Sequence, residues 1–121
     1  MTTCRVLLVD DHALVRAGIR ALLETLPQVE VVGETGDGLA AVQLATELEP
    51  DVILLDITLP GLNGLEVATR VIRLGRGTRI LMLSMHASPE YAARAFAAGA
   101  AGYLNKDSAF DELAAALDAI A

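Results

Sequence analysis

Short runs of consecutive apolar residues alternate along the chain with longer stretches whose apolar residues recur every three or four positions. The short runs are typical of β-strands buried on both faces, and the longer stretches of amphipathic helices. The predicted strands cover residues 5–9, 29–33, 52–55, 80–83 and 103–104. Strict alternation of strand and helix predicts an α/β fold with a parallel sheet covered by helices on both faces.

Caps and helix-breaking residues bound the five predicted helices. Prolines end the first helix at residue 27 and the second at residue 50. The third helix is predicted over residues 65–74, and the alanine-rich fourth ends near Gly99. The predicted N-caps are Asp37, Ser88 (followed by proline) and Ser108. The predicted inner faces of the first and last helices are formed by Val15, Ile19, Leu22 and Leu26, and by Phe110, Leu113, Leu117 and Ile120.

Length and composition indicate one globular domain over residues 1–121, without repeats or linkers. A single cysteine, Cys4, excludes an internal disulfide framework and is interpreted as a small buried hydrophobe. With no export signal, it favours a cytoplasmic location. No apolar run approaches the length of a membrane helix, so no membrane partner is expected. A net charge of −7 argues against direct binding to nucleic acid.

Polar residues stand where four of the predicted strands end. Asp10 and Asp11 follow the first strand, Asp56 the third and Ser84 the fourth, and Lys106 lies just beyond the fifth. In open parallel sheets the ligand crevice lies beyond the carboxyl ends of the strands. These side chains are therefore expected to converge at one edge.

Each of these residues has a simpler interpretation by itself. Asp11 could cap the first helix, Asp10 could be a solvated acid, Ser84 a turn residue and Lys106 a surface lysine. Together, three crowded carboxylates would raise one another's pKa unless a cation compensates. An oxygen-only cluster selects Mg²⁺, Mn²⁺ or Ca²⁺, and Lys106 would then serve an anionic ligand. This set around a nucleophilic Asp56 predicts phosphoryl-transfer chemistry.

Four motifs make the chain resemble the receiver domain of two-component response regulators, over residues 3–121. The motifs are LVDDH at 8–12, LDITLPGLNG at 55–64, LSMH at 83–86 and GYLNKD at 102–107. The residues of the last two motifs are similar to those of the NarL/FixJ branch. The resemblance implies a doubly wound (βα)5, flavodoxin-like three-layer sandwich with strand order 2-1-3-4-5. In that branch a LuxR-type helix-turn-helix output domain usually follows the receiver, and this chain is expected to lack it.

The resemblance implies a metal and a phosphoryl acceptor. Asp56 would accept a phosphoryl group from a phosphohistidine of a sensor histidine kinase. Mg²⁺, with Mn²⁺ as a substitute, would be held by Asp11, Asp56 and the backbone carbonyl of Thr58, and by Asp10 through water.

The resemblance also implies a signalling switch rather than a turnover enzyme. Lys106 would bind a phosphoryl oxygen, Ser84 would donate its hydroxyl to the phosphoryl group, and Tyr103 would turn inward when Ser84 moves. A plain edge-strand aromatic is the competing interpretation of Tyr103. The only reactions expected of the domain are its own phosphotransfer and dephosphorylation. The output would be an altered α4-β5-α5 face or a homodimer, controlling transcription through the DNA-binding domain.

The chain departs from the family pattern after its lysine. The family often has a cis proline there, whereas Asp107 follows Lys106, so a cis bond is not implied. Thr58 and His86 stand two residues beyond Asp56 and Ser84, where the family tunes hydrolysis of the acyl phosphate. For His86 a solvated rim residue is the competing interpretation.

Other classes with this fold or this chemistry fit less well. A haloacid-dehalogenase phosphatase needs an aspartate where Thr58 stands. A flavodoxin needs a phosphate-binding loop where residues 10–12 are acidic, and a Rossmann protein needs a G-x-G-x-x-G motif there. A degenerate receiver that takes no phosphate is disfavoured because all five site residues are present.

Overall fold

The computed structural model describes residues 3–85, 88–107 and 109–120, apart from the side chains of residues 109 and 110. Five strands and five helices alternate in this part of the chain. The strands are β1 (Cys4–Val9), β2 (Val29–Thr35), β3 (Val52–Asp56), β4 (Arg79–Ser84) and β5 (Gly102–Asn105). The helices are α1 (Ala13–Glu24), α2 (Gly38–Leu48), α3 (Gly64–Arg73), α4 (Pro89–Ala97) and α5 (Ala109–Ile120).

All pairings in the sheet are parallel, and the strand order is β2-β1-β3-β4-β5. The predicted α/β class and the order 2-1-3-4-5 are therefore confirmed. Each continuous apolar strand sends alternate side chains to opposite faces, so the sheet has two hydrophobic cores. One core joins Leu7, Ile53 and Met82 to α2, α3 and α4. The other joins Leu8 and Leu54 to α1 and α5.

The observed elements differ from the predicted ones mainly at their ends. β2 continues to Thr35, β5 spans four residues, and Asp56 closes β3 rather than following it. The helix α1 stops at Glu24, so Leu26 packs from beyond its end. The predicted face of α1 omitted Leu23, which is fully buried. Leu23 lies four residues after Ile19, and residues at that spacing share one face of a helix.

The structure agrees with some of the predicted helix caps and differs from others. The prediction for Asp37 is confirmed, because its carboxylate accepts a hydrogen bond from the backbone N–H of Ala40 at 2.9 Å. Ser88 is the N-cap residue of α4, yet its side chain makes no capping hydrogen bond. Asn63 caps α3 through the N–H of Glu66 at 3.0 Å and was not predicted. The predicted cap Ser108 and the side chain of Phe110 lie outside the described residues.

The loop between β3 and α3 packs so closely that two positions exclude a side chain. A Cβ atom at Gly64 would lie 2.2 Å from the carbonyl oxygen of Asp56, and one at Gly38 would lie 1.9 Å from that of Leu62. Such contacts are too close for any residue but glycine. The backbone that carries Asp56 is therefore held directly against the start of α3.

No helix in the described part of the chain combines the length and the apolar character needed to cross a membrane.

Candidate functional site

The strand ends bring four predicted site residues to the same edge of the sheet. Asp56 and Ser84 are the last residues of β3 and β4, while Asp10 and Lys106 directly follow β1 and β5. The strand register keeps these ends level, since Asp56 lies opposite Leu83 and Ser84 is paired with β5. All four residues are buried. The predicted convergence of these side chains is therefore observed.

Lys106 joins the two buried carboxylates. Its Nζ lies 2.9 Å from Asp10 Oδ2 and donates a hydrogen bond to Asp56 Oδ2 at 3.0 Å. Its backbone N–H donates to the carbonyl oxygen of Ser84 at 2.8 Å, which fixes the chain beyond β5 against β4. The peptide bond to Asp107 is trans, as are all others among the described residues.

Burial and pairing shift the pKa of both partners in this contact. Burial raises the pKa of Asp56 to about 6, the Lys106 ammonium opposes that rise, and the charge of Asp10 adds to it. Repulsion between the carboxylates, the cause expected from the sequence, therefore contributes less to the raised pKa of Asp56 than burial does. Burial lowers the pKa of Lys106, but hydrogen bonds and charges from Asp10 and Asp56 outweigh it and raise the pKa overall.

The acidic residues fit a divalent cation. Asp10, Asp11, His12 and Asp56 each offer one ligand atom, and these atoms all lie within 4.8 Å of one another. Asp10 Oδ2 is fully buried and, although Lys106 is near, accepts no well-aligned hydrogen bond within the described structure. One ammonium faces three carboxylates here. A divalent cation would supply the positive charge that Lys106 alone does not provide.

His12 is a site residue that was not predicted from the sequence. His12 is the N-cap residue of α1, so Asp11 does not cap that helix. The side chain of His12 makes no capping hydrogen bond. Its Nδ1 lies 3.2 Å from an oxygen of Asp10, 3.2 Å from one of Asp11 and 3.8 Å from Asp56 Oδ2. A histidine directly after an acid pair is the sequence signal that points to it, because imidazole is also a metal ligand.

Arginines behind the site hold the backbone that carries the acid pair. Arg16 donates a hydrogen bond to the carbonyl oxygen of Asp10 at 2.6 Å and another to Glu34 at 3.1 Å. Arg20 also pairs with Glu34. These hydrogen bonds, first from Arg20 and then from Arg16, hold the pKa of Glu34 below its usual range. Arg16 thus ties the loop after β1 to β2.

The remaining predicted residues surround this centre. The backbone N–H of Thr58 donates to Asp56 Oδ1 at 3.2 Å, and the side chain of Thr58 is exposed. Tyr103 is half-buried on β5 opposite Met82 and packs against the core that α2, α3 and α4 cover. His86 lies outside the described residues.

Comparison with known proteins gives concordant results. The family model for the response regulator receiver domain matches residues 6–118. The response regulator UvrY of Escherichia coli K12 is 43% identical over 115 residues, which are 95% of this chain and 53% of UvrY. This chain thus spans about half the length of that curated relative. The receiver domain of a NarL response regulator from Mycobacterium tuberculosis superposes with a TM-score of 0.93 at 41% identity, covering 99% of this chain and 98% of that one.

A second solved structure supports the predicted branch. It is a two-component response regulator of the LuxR family from Aurantimonas sp. SI85-9A1, with a TM-score of 0.93 at 42% identity, covering 98% of this chain and 85% of that one. The family and the branch that the four motifs indicated are both confirmed. The chain belongs to the response regulator receiver domains, in the NarL/FixJ (LuxR-type) branch.

Proposed function

We propose that Asp56 is the phosphoryl acceptor of this receiver and that its phosphorylation is the signalling event. The observation that carries the proposal is the buried contact of Lys106 with Asp56 and Asp10 at the carboxyl edge of the sheet. A fixed ammonium beside an acceptor carboxylate can neutralise the charge on an incoming phosphoryl oxygen.

The transfer is a displacement at phosphorus. An Asp56 carboxylate oxygen attacks the phosphorus of a phosphohistidine on a sensor histidine kinase and forms an O–P bond. The P–N bond breaks, and its electron pair stays on the imidazole of the kinase. Lys106, which holds Asp56 Oδ2 at 3.0 Å, orients the acceptor and then binds a phosphoryl oxygen.

The acidic residues would hold the metal that this chemistry needs. We assign Mg²⁺, with Mn²⁺ as a substitute, to Asp11, Asp56 and the carbonyl of Thr58, and to Asp10 through water. When bound, the cation supplies charge neutralisation for the transferred group. The support is the close set of ligand atoms and the buried Oδ2 of Asp10, which accepts no well-aligned hydrogen bond among the described residues.

Switching would start from Ser84 and Tyr103. Ser84 is buried at the end of β4, where its hydroxyl can follow a phosphoryl group on Asp56, and half-buried Tyr103 lies on the neighbouring strand. In the proposal, Ser84 moves toward the phosphoryl group and Tyr103 turns inward, biasing an existing two-state equilibrium. The helix α4 is the moving part, because Ala95 is its only fully buried residue among those described.

The partners of the whole protein belong to the same proposal. We place the domain in the cytoplasm, where a sensor histidine kinase phosphorylates it. Phosphorylation would change the α4-β5-α5 face or form a homodimer, and DNA would be bound by a helix-turn-helix output domain. The support is the LuxR-type relatives, about half of whose length this chain spans.

The test is phosphorylation by a small donor. The protein is incubated with Mg²⁺ and acetyl phosphate and compared with its Asp56→Asn variant by intact mass spectrometry. We expect a gain of one phosphoryl group in the parent and none in the variant. Equal labelling of the two would show that Asp56 is not the acceptor. The chain has no tryptophan, so mass spectrometry or NMR replaces the usual fluorescence titration.

A further inference from the structure

His12 adds a nitrogen to a cluster that otherwise consists of oxygens and one ammonium. Its backbone N–H donates to Asp10 Oδ1 at 2.8 Å, and its ring turns to the same oxygen through Nδ1 at 3.2 Å. The ring makes no capping hydrogen bond for α1, so helix capping does not explain its position. The imidazole lies over the acid cluster although 53% of the side chain is exposed.

The His12 nitrogen lies close to oxygens of three carboxylates. Nδ1 of His12 lies 3.2 Å from an oxygen of Asp10, 3.2 Å from one of Asp11 and 3.8 Å from Asp56 Oδ2. With bonds of about 2.0–2.1 Å, neighbouring ligand atoms are roughly 2.8–3.0 Å apart in octahedral sites and roughly 3.3–3.4 Å apart in tetrahedral ones. The distances to Asp10 and Asp11 are close to the tetrahedral spacing, and the distance to Asp56 is longer than either spacing.

A buried oxygen of Asp10 also faces the cluster. Asp10 Oδ2 is fully buried and accepts no well-aligned hydrogen bond among the described residues, although Lys106 Nζ lies 2.9 Å away. The His12 side chain is half-exposed, and its Nδ1 also lies 3.3 Å from Lys106 Nζ, so a metal ion bound to Nδ1 would replace that contact. A nitrogen ligand matters for selectivity, because imidazole favours Co²⁺, Ni²⁺, Cu²⁺ and Zn²⁺, whereas Mg²⁺ prefers oxygen.

We propose that Nδ1 of His12 is a metal ligand, so that this site binds divalent transition-metal ions through nitrogen and carboxylate oxygens. Mg²⁺ uses the oxygens alone. His12 thus sets the preference of the site among divalent cations. The inference rests on the metal site of the proposed function, but it does not depend on whether Asp56 is phosphorylated.

The test compares Co²⁺ with Mg²⁺ by isothermal titration calorimetry at one neutral pH. The parent is compared with His12→Phe, which keeps an aromatic ring without a ligand nitrogen, and with Asp11→Asn as the matched control. In His12→Phe the ratio of Co²⁺ affinity to Mg²⁺ affinity should fall by about tenfold or more. In Asp11→Asn both affinities should fall and the ratio should change much less. A ratio within twofold of the parent's in His12→Phe would overturn the proposal.

A second measurement is made on the parent, and a variant serves only to assign its two histidine signals. Addition of Zn²⁺ should produce a large change in the ¹⁵N chemical shift of His12 Nδ1, assigned with the His86→Gln variant. An unchanged Nδ1 signal at saturating Zn²⁺ would show that His12 only donates a hydrogen bond to the carboxylates. Phosphorylation of the parent by acetyl phosphate and Mg²⁺ is measured separately. Its failure would count against the proposed function and leave the metal preference intact.

Discussion

Lys106 is the only lysine of the chain, in which all other basic side chains apart from two histidines are arginines. It is also the only buried basic residue in the described part of the molecule. A compact ammonium can stand between two carboxylates in a closed space, whereas a planar guanidinium needs a wider one. The site therefore depends on the type of cation as well as on its charge.

The Lys106→Ala variant should be less stable than the parent. Loss of the ammonium leaves the buried carboxylates of Asp10 and Asp56 without a cationic partner, which costs about 3 kcal/mol of unfolding free energy. Urea denaturation followed by circular dichroism measures the loss. Mg²⁺ binding should survive, because its ligands remain, while labelling by acetyl phosphate fails.

Two controls accompany Lys106→Ala. Arg73→Ala removes an exposed cation and should change the unfolding free energy by no more than about 0.5 kcal/mol. Lys106→Arg keeps the charge and should still fail to restore phosphorylation. Loss of Mg²⁺ binding in Lys106→Ala would contradict the role given to the lysine.

The raised pKa of Asp56 predicts how stability depends on pH when no metal is present. The folded state holds the Asp56 proton up to about pH 6, while the unfolded state releases it near 3.8. Between these values the unfolded state binds fewer protons, so this group lowers the unfolding free energy as pH rises, by at most about 3 kcal/mol. Denaturation of the parent and of Asp56→Asn across this range isolates the contribution.

Added Mg²⁺ should reverse this trend. The cation binds the ionised carboxylate, so its stabilising effect on the parent should grow as pH passes about 6. The Asp56→Asn variant should lack both the metal-free decrease and most of the response to Mg²⁺. Identical pH profiles for parent and variant would show that Asp56 keeps an ordinary pKa.

Among the elements, the turn from β3 into α3 carries the strictest packing constraint. A Cβ at Gly64 would meet the backbone of Asp56 and Ile57, which cannot yield as a flexible side chain can. We expect Gly64→Ala to lower the unfolding free energy by about 2 kcal/mol and to weaken Mg²⁺ binding through displacement of Asp56. In the control Gly33→Ala, the new atom meets only the ends of leucine side chains, so the loss should be smaller. Equal losses would contradict this account.

The helices α3 and α4 should differ in local stability. The helix α3 buries Gly64, Val67, Ala68 and Val71, whereas α4 buries only Ala95 among the described residues. Less buried surface lowers the cost of local opening. Native-state hydrogen exchange should therefore be faster for amides of α4 than for those of α3, and phosphorylation should change α4 more. Equal protection of both helices would remove the argument that α4 is the moving part.

For the whole molecule, the order of strands and helices along the chain could be predicted, because buried strands and amphipathic helices space their apolar residues differently. Consecutive apolar residues, as in 52–55, must be buried on both faces, and parallel strands require helical crossovers. The location of the site at one edge of the sheet could then be predicted from the residues at the strand ends. Asp10, Asp56, Ser84 and Lys106 meet there because each stands at or just beyond the end of a strand.

Other features depend on tertiary contacts that periodicity does not contain. Taken singly, Lys106 had the pattern of a surface lysine, and its burial appears only once β5 lies beside β4. The inward turn of His12 depends on the backbone after β1, which Arg16 holds through the carbonyl of Asp10.

The central claim is that a phosphoryl group is carried by Asp56 itself. After incubation with Mg²⁺ and acetyl phosphate, borohydride reduces an aspartyl phosphate to homoserine, and peptide mapping by tandem mass spectrometry locates the converted residue. We expect homoserine at position 56 of the parent, dependent on Mg²⁺, and at none of the other acidic positions. Conversion at Asp10 or Asp11, or none in a protein that has gained a phosphoryl group, would contradict the account.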